Sequence, residues 1–158
     1  MTTRITSSGL TEITEKMNML GRAAKIQDFY PEVVQKFIQL EIKLFDTEGA
    51  SGGNKWKALD PVYVKEKKRR GASTKILIEW GDLRKSLTQP GGDMVVRVER
   101  DRITLGSRVP YAHYHALGKG VPKRPPVQFT PDQIRDLFTA PIIRRIKGLR
   151  GYGHRRGE

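Results

Sequence analysis

Lys75–Leu87, KILIEWGDLRKSL, decides how the chain is read. Ile76, Leu77 and Ile78 form an apolar run with two β-branched members, which predicts a strand. Gly81 breaks it. Asp82 follows, placed to cap the free N–H groups of Leu83, Arg84 and Lys85. Leu83 and Leu87 are four apart and share one face of a short helix. Strand, glycine turn and capped helix together make a rigid corner. No nucleophile in it has an evident base, so the corner predicts architecture rather than chemistry.

Upstream, Leu10, Ile13, Met17, Leu20 and Ala24 recur at spacings of three and four, which predicts an amphipathic helix over 10–25. A second helix is expected after Asp28, with Pro31 in its first turn and Val34, Phe37, Ile38, Ile42 and Phe45 as its apolar stripe. TEGASGGNK, residues 47–55, reads as a loop, and Trp56 as the anchor that pins it to the core. Asp60-Pro61 is a cap and first turn for a short helix through Val62 and Val64. Lys65, Glu66, Lys67, Lys68, Arg69 and Arg70 then place five cations in six positions. Their mutual repulsion predicts an extended loop. It is either a solvated surface or a contact that orders against an acidic partner.

Downstream, Met94–Glu99 and Ile103–Gly106 alternate apolar and polar residues on either side of Arg100-Asp101, which predicts an antiparallel hairpin with one buried face. Pro110 can open a helical turn carrying Tyr111, Tyr114 and Leu117, closed by Gly118. Residues 121–126, VPKRPP, must be extended, and Val127 and Phe129 can form a last short strand. Thr130-Pro131-Asp132 starts a helix bearing Ile134, Leu137 and Phe138, with an interruption expected at Pro141. Residues 148–158 read as a basic, flexible tail.

The 158 residues suit one domain, here 1–147 with 47–74 as a long loop holding a short helix. The expected class is α+β: a small, largely antiparallel sheet packed by two N-terminal helices and one C-terminal helix. No apolar run approaches the ~20 residues of a membrane span. MTTRITSSGL lacks an apolar signal core, so export by a signal peptide is not expected. With no cysteine, the chain has no disulfide, thiolate metal site or cysteine nucleophile. The net charge of +13 calls for a polyanion, an acidic protein or a membrane surface as partner.

Catalytic constellations are missing from the sequence. His113 and His115 stand two apart without a third metal ligand nearby, and on a helix they would diverge. Gly52-Gly53-Asn54-Lys55 lacks the spacing and the hydroxyl of a phosphate loop. Neither enzyme activity nor a cofactor is expected. The remaining chemistry is cationic: the 65–70 run, then Arg144, Arg145, Lys147, Arg150, Arg155 and Arg156. If those last six all touched duplex phosphates, binding would fall with salt at a log–log slope of about −5.

One series of residues carries a resemblance. Trp56 and Leu59 precede a lysine-rich gap; then come Ile76-Leu77, Gly81-Asp82-Leu83-Arg84, Ser86-Leu87, a hairpin, Tyr111-Ala112, His115, Gly118 and Arg124-Pro125. In order and spacing, across about residues 56–135, this resembles the phage virion morphogenesis family, the tail-completion or neck proteins of tailed bacteriophages. Trp80 stands where that family usually has Thr or Ser, and Pro126 where it usually has Phe. The resemblance implies a non-enzymatic structural subunit of the virion neck or tail, assembled in the host cytoplasm. It implies a homo-oligomeric ring, six subunits being one candidate size, that meets other neck and tail-tube proteins and DNA in the channel, with no membrane. Trp56, Gly81, Asp82, Leu83, Arg84, Tyr111, Gly118, Arg124 and Pro125 would be its structural anchors. The basic segments would make the contacts, through loops that order on assembly. The rival expectation is a sequence-independent nucleic-acid-binding protein, ribosome- or DNA-associated.

Overall fold

The computed structural model describes residues 26–99 and 102–152, and the side chains of 27–99 and 102–144. The helix expected over 10–25 lies outside the described residues, as do Arg155 and Arg156. Helix α1, Ile26–Asp46, is the spine. Its buried face is Phe29, Val33, Phe37, Glu41, Leu44 and Phe45. The expected stripe holds in part: Phe37 and Phe45 are core, Val34 and Ile38 are half-buried against it, and Ile42 is exposed. Both sets follow helical spacing, and a glutamate in the middle of the true one hides it from a hydrophobicity count. The helix also begins before Asp28, so Pro31 falls inside it.

The chain leaves α1 through a 3-10 turn, Ala50–Gly52, that doubles back under Trp56. Gly49 makes this possible. Its φ is +91°, and a Cβ there would lie 2.6 Å from the Asn54 carbonyl and 2.7 Å from Trp56 Cδ1. Helix α2, Pro61–Arg69, follows an extended segment. An Asp60 carboxylate oxygen accepts from the N–H groups of Val62 and Tyr63, and Pro61 needs no partner for its missing donor. The expected loop over 65–70 is thus corrected: the cations are helical. Lys67, Lys68 and Arg69 occupy the C-terminal turn, where the exposed carbonyls favour positive charge, and Arg70, the C-cap, pairs with both Glu66 and Glu79.

Residues 76–78 form no strand. Leu77 has φ +56° and the backbone turns on itself from Ser73 to Gly81. Lys67 holds the turn, donating from Nζ to the carbonyls of Lys75 (3.1 Å) and Ile78 (2.9 Å), while the Ile76 N–H donates to Glu48 Oε1 at 3.2 Å. An apolar run without a neighbouring strand has its carbonyls satisfied by an ammonium instead. Helix α3, Asp82–Thr88, follows with Gly81 at φ +92° as its N-cap. Asp82 is the first helical residue, and its carboxylate makes no capping bond, contrary to expectation.

Strands β1, Met94–Val98, and β2, Ile103–Ser107, pair antiparallel as the alternation predicts, with Val96 opposite Leu105. Among the described residues they are the whole sheet, since Val127–Phe129 is also irregular. Gln128 explains why: its Nε2 donates to the carbonyls of Gly49 and Asn54, and Phe129 meets the Phe37 ring edge-on at 5.8 Å. Helix α4, Ala112–Leu117, ends at Gly118 in the left-handed region, φ +74°. Helix α5, Pro131–Tyr152, opens with a reciprocal cap in which Thr130 and Gln133 each accept from the other's N–H. It runs unbroken past Pro141 and past Gly148, where the tail was expected to begin.

The fold is therefore α+β, with the hairpin, α3 and α5 gathered on α1. The core is Phe29, Val33, Phe37, Leu44 and Phe45 from α1, Leu83 and Leu87 from α3, Met94, Val109 and Leu137, with Trp56 and Ile76 from the loops. Each such side chain contributes about 1.5–3 kcal/mol by leaving water.

Candidate functional site

Most residues of the Trp56–Pro125 series work within the chain. Trp56 is buried, meets Phe45 edge-on at 5.4 Å and donates from Nε1 to the Pro125 carbonyl at 3.0 Å. Arg124, though cationic, is only 6% exposed. Its Nε donates to the Lys57 carbonyl at 2.7 Å and its Nη2 to that of Ala58 at 3.0 Å. Arg84 joins α3 to the end of α1 through Asp46, at 3.0 Å. Ser86 donates to or accepts from the Ser107 hydroxyl at 2.6 Å, tying α3 to β2, and Leu83 and Leu87 face the core. Trp56, Arg84, Ser86 and Arg124 each close a gap between segments distant in sequence.

The basic residues divide differently. Lys65, Lys68 and Arg69 are exposed on α2. Lys67 is 2% exposed and turned inward, and Arg70 is engaged by two glutamates, so neither is a free surface contact. Arg144 reaches Glu32 on α1 at 2.6 Å. Arg145, Lys147 and Arg150 lie on α5, well separated in sequence from the α2 cations.

Where α2, the 73–81 turn, α4 and Arg124 come together there is a cavity of about 340 Å³. Lys67 and Arg124 stand in its wall beside Leu59, Leu77 and Ile78, and Tyr63, Trp80 and Tyr111 line it with their rings. Trp80 is 61% exposed, an unusual amount for tryptophan. Burial pulls the Lys67 pKa below the usual lysine value, against the opposing Glu79 charge. Burial, then the Arg124 charge, likewise lowers His115. His115 Nδ1 is buried and has no hydrogen-bond partner. Tyr111, whose ring meets His115 edge-on, has its hydroxyl pKa raised by burial and by Asp82.

No group of three or more metal-ligating side chains occurs among the described residues, and His113 and His115 diverge on α4 as expected for a helix. The cavity was invisible to a linear reading because Lys67 was placed in a loop. Extending α2 through Arg69 would have put Lys67 on the face of Tyr63, four residues earlier.

The sequence profile of the phage virion morphogenesis family matches residues 8–139. The chain belongs to the phage virion morphogenesis family. The match reaches well upstream of Trp56, so the family likeness includes α1 and is wider than the 56–135 series. No match is found among curated proteins or among solved structures. Membership of this family assigns the chain a structural or assembly role in the phage virion. No helix among the described residues is long and apolar enough to cross a membrane.

Proposed function

We propose that this family member is a ring-forming neck or tail-completion subunit that joins tail to head. The observation that carries this reading is the family match over residues 8–139. The geometry supports it in two ways. The motif residues hold the fold together rather than surround a reacting group. The outward features are those of a docking protein: exposed cations on α2 and an exposed aromatic face on α2, α4 and Trp80. Copies arranged in a closed ring would sum many modest contacts into a firm joint, both among themselves and with adjoining neck and tail-tube rings. Exposed arginines and lysines would also suit DNA in the channel.

Electron microscopy of virions labelled with an antibody against this chain tests the proposal. Label at the neck or the head-proximal end of the tail is the expected result. Intact virions that lack the chain would overturn it. A filter-binding titration addresses the nucleic-acid rival. Tight, salt-sensitive duplex binding by the isolated monomer, with a slope near the −5 of six phosphate contacts, would favour that rival.

A further inference from the structure

The cavity beside Trp80 has a chemistry that the fold does not use up. Lys67 engages two carbonyls with an ammonium that has three N–H groups. Arg124 engages two with a guanidinium that has five. Both side chains are more than nine-tenths buried and both line the cavity. His115 adds a buried ring nitrogen with no partner. Two carboxylates also line the cavity, and neither occupies the buried cations' spare donors: Glu79 is held by Arg70 and the Tyr63 hydroxyl, and Asp82 is exposed to solvent. The buried part of the wall therefore offers donors and positive charge, and the apolar remainder is Leu59, Leu77 and Ile78.

The surroundings bear on what could fill it. At about 340 Å³ the cavity is at the small end of the ~300–1,000 Å³ range of ligand sites and suits one side chain with its neighbours' tips. Around it, Tyr63, Trp80 and Tyr111 are exposed, and α2 and α4 carry further exposed apolar side chains in Val62, Tyr114 and Leu117. A free small anion would leave that surface in water. Tryptophan, tyrosine and arginine around a desolvated pocket are the composition of an interface centre. A chain of net charge +13 favours an acidic partner over another copy of itself.

We propose that this cavity is a socket for a glutamate or aspartate side chain, flanked by apolar residues, on a segment of a different protein. The carboxylate accepts from the unused N–H groups of Lys67 and Arg124, and the flanking residues lie on Trp80, Tyr63 and Tyr111. Because the cations are already fixed by backbone carbonyls, little ordering remains when the partner arrives. The assignment does not depend on where in the virion the chain sits.

The chain has two tryptophans, Trp56 buried and Trp80 exposed, so fluorine NMR of the 5-fluorotryptophan-labelled protein gives one reporter at the socket and one internal control. Trp80→Phe assigns the two signals. The probes are acetyl-Leu-Glu-Leu-amide, its glutamine analogue, and glutarate. The glutamate peptide is expected to shift the Trp80 signal saturably while leaving Trp56 unmoved. The glutamine analogue should bind about tenfold more weakly or worse, as loss of hydrogen bonds to charged groups requires. Equal response to the two peptides, or none to the glutamate peptide, overturns the proposal. Glutarate binding as tightly as the peptide would also overturn it, by marking a small-anion site. Lys67→Met should abolish the peptide shift. If that variant does not fold, the comparison of peptides on the unaltered protein still decides.

Discussion

Replacing Glu41 with glutamine or leucine should stabilise the protein, by an amount that depends on pH. Glu41 lies on the core face of α1 between Phe37 and Phe45, has no exposed surface, and neither carboxylate oxygen has a hydrogen-bond partner. Burial raises its pKa from 4.5 to about 9. It is therefore neutral in the folded chain at pH 7 and ionised in the unfolded one. A folded pKa above the unfolded value contributes stability below pH 4.5, and that contribution is lost as pH rises toward 9. Each pH unit in this window costs a little over 1 kcal/mol, so the loss is about 3 kcal/mol by pH 7 and about 5 kcal/mol by pH 8. Glu41→Gln mimics the protonated side chain and does not titrate. Its advantage over the wild type should grow by about 4 kcal/mol between pH 5 and pH 8, or roughly 8–16 °C in melting temperature for a chain of this size. Glu41→Leu also removes the unsatisfied polar atoms and should add about 1–3 kcal/mol at every pH. Urea unfolding of the three proteins at pH 5, 6.5 and 8 measures both effects. Parallel stabilities of wild type and Glu41→Gln across that range would show that the carboxyl finds a partner or water, and would refute the reasoning.

Two further substitutions test the loops. Gly49→Ala sets a Cβ against the Asn54 carbonyl and the Trp56 ring at positive φ, and should cost about 3 kcal/mol or more; Gly71→Ala, also at positive φ but with nothing within 4 Å, should cost only about 1 kcal/mol. Equal losses in a thermal melt would mean that the close approach to Trp56 is unimportant. Arg124→Lys keeps the charge but cannot reach two carbonyls as a planar fork, and should lose about 2–3 kcal/mol in urea unfolding. A neutral result would mean that the 57–58 segment is held by other contacts.

The local punctuation of the chain was legible because each signal acts within a few residues. Asp60-Pro61, Thr130-Pro131 and Gly118 mark helix ends by satisfying backbone groups next to them. The hairpin was legible because strict alternation on both sides of a short connection has one solution. What failed depends on partners far away. Ile76–Ile78 has the composition of a strand, but strand formation needs a neighbour, and Lys67 satisfies its carbonyls first. The repulsion argument for Lys65–Arg70 ignored Glu79, fourteen residues beyond the start of the run and paired with Arg70. The α1 stripe was incomplete because Glu41, which an apolar count passes over, stands on the core face between Phe37 and Phe45.

Of the three charged residues most deeply buried among those described, Glu41, Lys67 and Arg124, only Arg124 was expected as an anchor, through the family resemblance, and the three differ in physical basis. Lys67 and Arg124 each bind two backbone carbonyls of segments that have no regular structure of their own. Removing either would leave carbonyls without donors, so these cations select one conformation of the 73–81 turn and of the 57–58 segment. Trp56 and Gln128 act on 47–56 in the same way, through the Pro125, Gly49 and Asn54 carbonyls. The expectation that 47–74 orders only on assembly must therefore contend with a set of internal bonds that already fixes it. Glu41 fixes nothing, since it binds nothing. Its destabilising effect falls on the whole fold, whereas loss of Lys67 or Arg124 should fall first on the walls of the cavity. Hydrogen exchange separates the two cases: Lys67→Met should expose amides around 73–79 while leaving those of α1 protected, and uniform loss of protection would contradict this division.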